Sequence, residues 1–369
     1  MKLRFLDDIK KSGSPCKEYE GLKYYVDTGN VKNDVIIGKE GYLYKDKPSR
    51  ANVTVEVGDI LFAKMQNSIK VIRIDETNKD YVYSTGFYCL RDDRVLPEYL
   101  KYYFLSKEFN IKKDSLCQGA TMKALNDNGL KQIDIEVPSI EEQKRIVAIV
   151  DSLYSMIKLK NEQIEKLDEL VKARFVELFG LPVSNSKKWD TEKMKDIAPA
   201  VNYSGGFEET VWLLNLDMVE AQTGRIIDYL YVSENEVGNS TCTFGTSNVL
   251  YSKLRPYLNK VVIPDRCGYA TSEMIPLKPN PSKIERTYLA FMLRSDEFVQ
   301  MINEKVAGAK MPRVSMSDFR DFNVPVPPME LQSQFAAFVE QTNKSKSAIQ
   351  KSLDKLELLK KALMHKYFG

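Results

Sequence analysis

The chain has 369 residues, 43% hydrophobic and 28% charged, which describes a soluble globular protein too long for one ordinary core. Its formal charge of +3, from 54 basic and 51 acidic residues, is too small to announce a nucleic-acid binder by itself. No run approaches the roughly 18 apolar residues of a membrane span, and the N-terminus MKLRFLDDIKKSGSP lacks the apolar segment of a signal peptide. A cytoplasmic protein with no membrane contact is expected.

In chain order, a β-rich region comes first, with short runs such as 53–57 between turn residues. Within it, ILFAKMQNSIKVIRI (60–74) carries Lys64, Lys70 and Arg73. A short amphipathic helix is expected over 97–109, then a glycine-bearing loop over 117–130, then a strand running into prolines over 133–139. From Glu141 to Phe179 there is no Gly or Pro. Ile146, Val150, Leu153, Ile157, Ile164, Leu167, Val171 and Leu178 fall there on steps of three and four, or sums of them, with Lys160 and Arg174 in the gaps. That is a heptad-like seam with polar interruptions.

The second half has the same order of parts. Its β-rich region includes 241–264, where Lys253, Arg255 and Lys260 are interleaved with Tyr251 and Tyr257 and no acid occurs. Such strands can supply phosphate contacts and groove-facing side chains; a solvated sheet face is the alternative. A helix over 284–298, a glycine loop over 306–319 and the prolines of 322–328 follow. The second long helix, about 330–367, carries Phe335, Val339, Ile349, Leu353, Leu356, Leu363 and Tyr367 on its seam.

The two halves are copies at a constant offset of 189 residues: Gly119, Ala120 and Met122 return as Gly308, Ala309 and Met311, and Phe179-Gly180 returns as Phe368-Gly369. Two copies are too few for a solenoid. They suit one chain imitating a symmetric dimer, and duplex DNA is a partner with matching symmetry. A helix of nearly 40 residues spans on the order of 55–60 Å. Its narrow stripe is best buried on the other helix, giving an antiparallel pair that spaces two β-rich domains; the alternative is that each helix joins the core of its own domain.

Catalytic motifs are missing. There is no P-loop, no dinucleotide fingerprint and no methyl-transfer motif; Asn280-Pro281-Ser282 is the nearest string to the last. The single histidine, His365, argues against His-based acid–base chemistry. Five scattered cysteines, Cys16, Cys89, Cys117, Cys242 and Cys267, meet no metal spacing and read as buried free thiols. A DNA-modifying enzyme with a cryptic site and a protein-binding coiled-coil scaffold are the rival readings.

Gly119-Ala120-Thr121-Met122 followed by VPSIEEQKRI from Val137, and Gly308-Ala309-Lys310-Met311 followed by VPPMELQSQF from Val326, resemble the specificity subunit of type I restriction–modification systems. Tyr269–Glu273 and LRPYLNK (254–260) resemble that family's second recognition domain. The likeness covers essentially the whole chain. It implies an α+β fold with a pseudo-two-fold repeat: target-recognition domains at 1–139 and 181–327, and long antiparallel spacer helices at 140–180 and 328–369. Each recognition domain would read half of a bipartite, asymmetric site on double-stranded DNA. The helices would dock two methyltransferase subunits, and in some systems separate restriction subunits would join the complex. The chain itself would hold no cofactor or metal; S-adenosylmethionine, ATP and Mg would sit on the partners. Lys64, Gln66, Asn67, Lys70, Lys253, Arg255, Tyr257 and Lys260 are then candidates for DNA contact, as are Lys123, Lys310 and Arg313 in the glycine loops. Small residues in those loops would permit close backbone approach.

Overall fold

Two helices of 40 residues, Ile140–Phe179 and Met329–Phe368, run through a computed structural model that describes residues 1–307 and 311–369. The backbone divides into two compact units, residues 1–161 with 350–369, and residues 162–349. Each unit therefore contains one half of each long helix.

In the first unit, an antiparallel sheet is ordered Val71–Arg73, Ile60–Ala63, Phe87–Arg91, Lys10–Lys11. A second, mixed sheet is ordered Ser14–Pro15, Ala51–Thr54, Val82–Ser84, Lys23–Val26, Glu40–Tyr42, with the third and fourth strands parallel. Val26, Leu61, Ala63, Ile72, Tyr83 and Phe87 fill one core shared by the two sheets. The second unit reproduces this plan more sparely. Val261–Val262, Val249–Ser252 and Met274–Leu277 form one antiparallel sheet. Leu230–Ser233, Thr210–Leu214, Gly268–Thr271 and Thr241–Phe244 form the other, again with one parallel pair.

The single helix read over 97–109 is in fact two, Pro97–Leu105 and Lys107–Ser115, and its copy is also two, Arg286–Arg294 and Asp296–Asn303. Ser106 and Ser295 break them. Each holds extended backbone and accepts the N–H of Phe109 or Phe298 on its hydroxyl, so it starts a new helix rather than continuing the old one. Short helices also occupy the ends of the glycine loops, at Asp127–Leu130 and Met316–Arg320. Apolar periodicity alone cannot see such a break, because the stripe continues across it.

The repeat extends to individual hydrogen bonds. Gln143, fully buried in the first turn of its long helix, accepts the Leu96 N–H (2.8 Å) and donates to the carbonyls of Arg94 and Pro138 (both 3.0 Å). Gln332 accepts from Glu285 (2.8 Å) and donates to Lys283 (3.0 Å) and Pro327 (2.7 Å). Tyr99 donates to the Glu136 carbonyl, and Tyr288 to that of Pro325. The strand pair Lys2–Arg4 with Asp134–Glu136 is matched by Thr191–Lys193 with Asn323–Pro325.

Within each unit the two helix halves run antiparallel. In the first, the Lys360 ammonium lies 5.4 Å from the Tyr154 ring, and Phe368 packs on Tyr99 at 5.0 Å. In the second, Phe335 packs on Phe175 at 5.5 Å, and Lys346 pairs with Asp168 at 2.5 Å. Of the seam residues, Ile146, Val150, Leu153, Ile157, Val171, Phe335, Val339 and Leu353 are buried, while Ile164, Leu167, Leu178, Ile349, Leu356 and Leu363 are half-buried. The helix ends are also core: Ile146 and Val150 join the first unit's apolar cluster, and Val171, Phe175 and Phe179 the second's. Both readings of the stripe therefore hold, in different parts of each helix. The aromatic ending each helix is exchanged: Phe179, from the first repeat, packs on Tyr288 at 4.7 Å, and Phe368, from the second, packs on Tyr99.

No disulfide forms. Cys16 and Cys89 are buried and Cys117 and Cys242 half-buried, but Cys267 is exposed, contrary to the reading of all five as buried. It follows Asp265-Arg266 in an exposed bend, where no described residue covers it. Among the described residues no helix is long and apolar enough to cross a membrane.

Two predictions follow from this packing. Gln143→Ala removes a fully buried side chain and leaves one N–H and two carbonyls without this partner, and it should destabilise the first unit by about 2–4 kcal/mol in denaturant unfolding. Gln143→Glu should be worse, since a carboxylate cannot donate to two carbonyls. Phe179→Ala should cost about 3–5 kcal/mol, and hydrogen exchange should show protection lost over 286–303 rather than 97–115, although Phe179 lies in the first repeat.

Candidate nucleic-acid interface

The basic, aromatic-laced stretches fold as hairpins, Ile60–Ala63 with Val71–Arg73 and Val249–Ser252 with Val261–Val262. Each hairpin end is joined to its glycine loop by the same two backbone bonds. In the first unit the Gln66 N–H donates to the Lys123 carbonyl (3.0 Å) and the Leu125 N–H to that of Lys64 (2.8 Å). In the second, Arg255 donates to Pro312 (2.8 Å) and Val314 to Lys253 (2.9 Å), again at an offset of 189. The fold thus brings Lys64, Gln66, Asn67 and Lys123 together in one unit and Lys253, Arg255 and Arg313 in the other, with Tyr257 on the following turn. Lys310 lies outside the described residues.

These side chains are not alike in availability. Lys64 donates to the Thr85 carbonyl (2.8 Å) with its ammonium 4.5 Å from the Tyr88 ring; burial, then the Lys11 charge, lowers its pKa. Lys70 donates to the Thr28 carbonyl, and Lys260 to that of Leu216 (2.6 Å), where burial lowers its pKa. Both immediately precede the hairpin's returning strand and tie it to an earlier loop. Their offset is 190, because the second hairpin end holds one more residue. Gln66 donates its side-chain amide to the Asp114 carbonyl (3.0 Å), and the Asn67 N–H meets the Asp114 carboxylate (3.1 Å).

Other members of the cluster face water. Lys123, Arg255 and Tyr257 are exposed and Lys253 is half-buried. Arg313 pairs with Glu273 at 2.8 Å, a contact that the sequence pattern does not reveal because Glu273 comes from the strand turn at 271–274. This bond lowers the Glu273 pKa and raises that of Arg313. Gly119 sits at φ +134°, and a Cβ there would lie 2.4 Å from the Met122 carbonyl oxygen, so the tightness of this loop is internal. Among the described residues no group of His, Cys, Asp and Glu could hold a metal.

A family model described as "Type I restriction modification DNA specificity domain" matches residues 8–169 and again 220–358. The chain belongs to that family. The type I restriction enzyme EcoDI specificity subunit of Escherichia coli is 23% identical over 284 residues, covering 66% of this chain and 63% of that one, just under two thirds of its length. The MjaIX specificity subunit of Methanocaldococcus jannaschii is 22% identical over 305 residues, 74% of this chain and 68% of that one. Among solved structures, the type I restriction–modification S subunit of M. genitalium aligns over 100% of this chain and 96% of its own, with 16% identity and a TM-score of 0.57. A chain from a study of complex assembly and conformational transition of the type I R-M system aligns over 100% and 97%, with 18% identity and a TM-score of 0.64. Both likenesses show the α+β fold of this family.

The Arg313–Glu273 pair gives a pH test. The Glu273 pKa is held below its ordinary 4.5 in the folded chain, so the pair contributes stability above that value and loses it as pH falls through the lowered pKa. Glu273→Gln should lower the melting temperature at pH 7 by about 1–2 °C, as for exposed pairs. The difference from wild type should vanish on acidification, read by melting curves from neutral pH downward.

Proposed function

We propose that this chain is the DNA sequence-specificity subunit of a type I restriction–modification complex. Its recognition regions, 1–139 and 181–327, each read one half of a bipartite, asymmetric site on duplex DNA. The long helices set the gap and dock two methyltransferase subunits. The chain carries out no catalysis; S-adenosylmethionine is used on the methyltransferase subunits, and ATP and Mg on a restriction subunit where one is present.

One observation carries this reading. The two units share a frame down to single hydrogen bonds, yet the side chains at the shared hairpin ends differ, Gln66-Asn67 against Arg255-Pro256. A duplex presents the same backbone to two copies of one frame, and its base edges are read by the side chains that vary. Docking of partners on the helices is supported by apolar side chains left in water: Leu159 is 57% exposed, Leu358 65% and Leu170 51%. In the first unit, Ala148, Ile149, Met156, Leu359 and Leu363 line an open apolar groove along the helix pair.

The test joins the chain to a methyltransferase subunit of its system, with S-adenosylmethionine and random-sequence DNA, and maps the methylated bases. A split motif with a fixed gap is expected. No methylation from a stable complex with an active partner would overturn the proposal. Inserting seven residues after both Asn161 and Ile349 should lengthen the gap and leave both half-sites unchanged; altered half-site bases would refute the spacer role of the helices.

A further inference from the structure

We propose that Arg50 in the first unit and Arg255 in the second are the base-reading arginines of the two recognition regions, each directed at the edge of a guanine. This rests on the DNA-reading function proposed above. Arginine is the side chain whose planar fork matches the paired acceptors of guanine in the major groove. To do so its guanidinium must be exposed and uncommitted within the protein, on backbone that the fold holds still.

Of the 14 arginines in the chain, 11 are engaged by a carboxylate or a backbone carbonyl. Among the described residues, the three with no side-chain partner are Arg50, Arg255 and Arg320, all exposed. Arg320 ends the helix Met316–Arg320 and lines a cleft with Lys195 and Phe319. The other two belong to the hairpin ends, one in each unit.

Both are held by their backbones. The Arg255 N–H is fixed to the Pro312 carbonyl (2.8 Å), and its φ of +49° is a left-handed conformation that an arginine rarely adopts. Backbone in such a region persists where the surroundings over-determine it, and it clusters at binding sites. The Arg50 carbonyl accepts from both Asn52 and Thr85 (2.9 Å each), and the Thr85 carbonyl takes the Lys64 ammonium. Arg50 therefore stands beside the first hairpin end although it lies outside the basic hairpin stretch in sequence. Of the acids at the two hairpin ends, Glu273 is paired with Arg313, and Asp114 with Asn67 and Lys113.

The two arginines occupy different places in the common frame. The counterpart of Arg50 is Ser240, whose carbonyl accepts from Ser272 (3.0 Å) as that of Arg50 accepts from Thr85. The counterpart of Arg255 is Gln66, whose amide is turned inward to Asp114. At its hairpin end each unit presents one free guanidinium, beside the strand start in one and at the hairpin tip in the other. The guanine accordingly meets a different position of the common frame in each half-site.

The experiment uses the full chain in its methyltransferase complex and compares wild type with Arg255→Asn, Arg255→Lys, Arg50→Ala and Arg50→Lys. Asparagine suits left-handed backbone, so Arg255→Asn should melt no lower than wild type. Methylated-base mapping should show selection for guanine at one position of one half-site falling about tenfold or more in both Arg255 variants, with the other half-site intact. The Arg50 variants should do the same to the opposite half-site. The lysine variants keep the charge but not the fork; if lysine preserves the motif while the neutral variant weakens methylation of all sequences alike, the contact is to phosphate and the inference fails. An unchanged motif in all four variants also overturns it. A wild-type complex that gives no split motif would instead overturn the function on which the inference rests.

Discussion

A buried amide at the first turn of each long helix is the constraint on which the rest of this fold depends. Gln143 and Gln332, both fully buried, each satisfy one N–H and two carbonyls of the surrounding chain. One end of this side chain must accept and the other donate, so no charged residue can replace it. A fully satisfied buried polar group specifies one arrangement much more sharply than apolar packing, which tolerates sliding. The long helix is thereby fixed to the segment ahead of the domain helix, residues 94–96 in one unit and 283–285 in the other. Everything further along the helix inherits that position.

The frame was largely legible in the sequence, because frames repeat. The 189-residue offset predicted paired strands and two equal helices, and the structure matches them down to the hydrogen bonds of Tyr99 and Tyr288; Gly308 and Ala309 of the second glycine loop lie outside the described residues. What could not be read were contacts that neither the offset nor the apolar periodicity encodes. Ser106 breaks a helix whose apolar stripe runs on regardless. Lys64, Lys70 and Lys260 look like free cations in a basic stretch, yet each ammonium meets a backbone carbonyl from 21 to 44 residues away. Arg50 gave no signal, since its place beside the hairpin end depends on a strand that follows 35 residues later. Seam reading located Leu178 but not Phe175 or Phe179, which carry the burial at that helix end.

The separation of frame from tip explains how one architecture can serve different targets. Hydrogen bonds among backbone groups hold the hairpin ends, so a change of side chain at position 66 or 255 leaves the bonds to Lys123 or Pro312 in place. The lysines bound to internal carbonyls belong to the frame as well, and burial lowers the pKa of Lys64 and Lys260. The free positive charge at each end is correspondingly small, in keeping with a net charge of only +3. Selectivity in such a protein must come from a few well-placed forks and amides rather than from a strong field, because phosphate attraction does not distinguish sequences.

The exchange of terminal aromatics ties the two repeats into one folding problem. Tyr99 gains its ring partner only when Phe368 arrives, and the first compact unit includes residues 350–369. Tyr288 in turn packs on Phe179, supplied by the repeat before it. Closing the first unit therefore requires a loop of almost the whole second repeat. The entropic cost of that closure grows only logarithmically with length, but it is met before the contact forms, which slows folding more than it weakens the fold. In return, the two exchanges together bury both Phe179 and Phe368, each on a tyrosine of the other repeat.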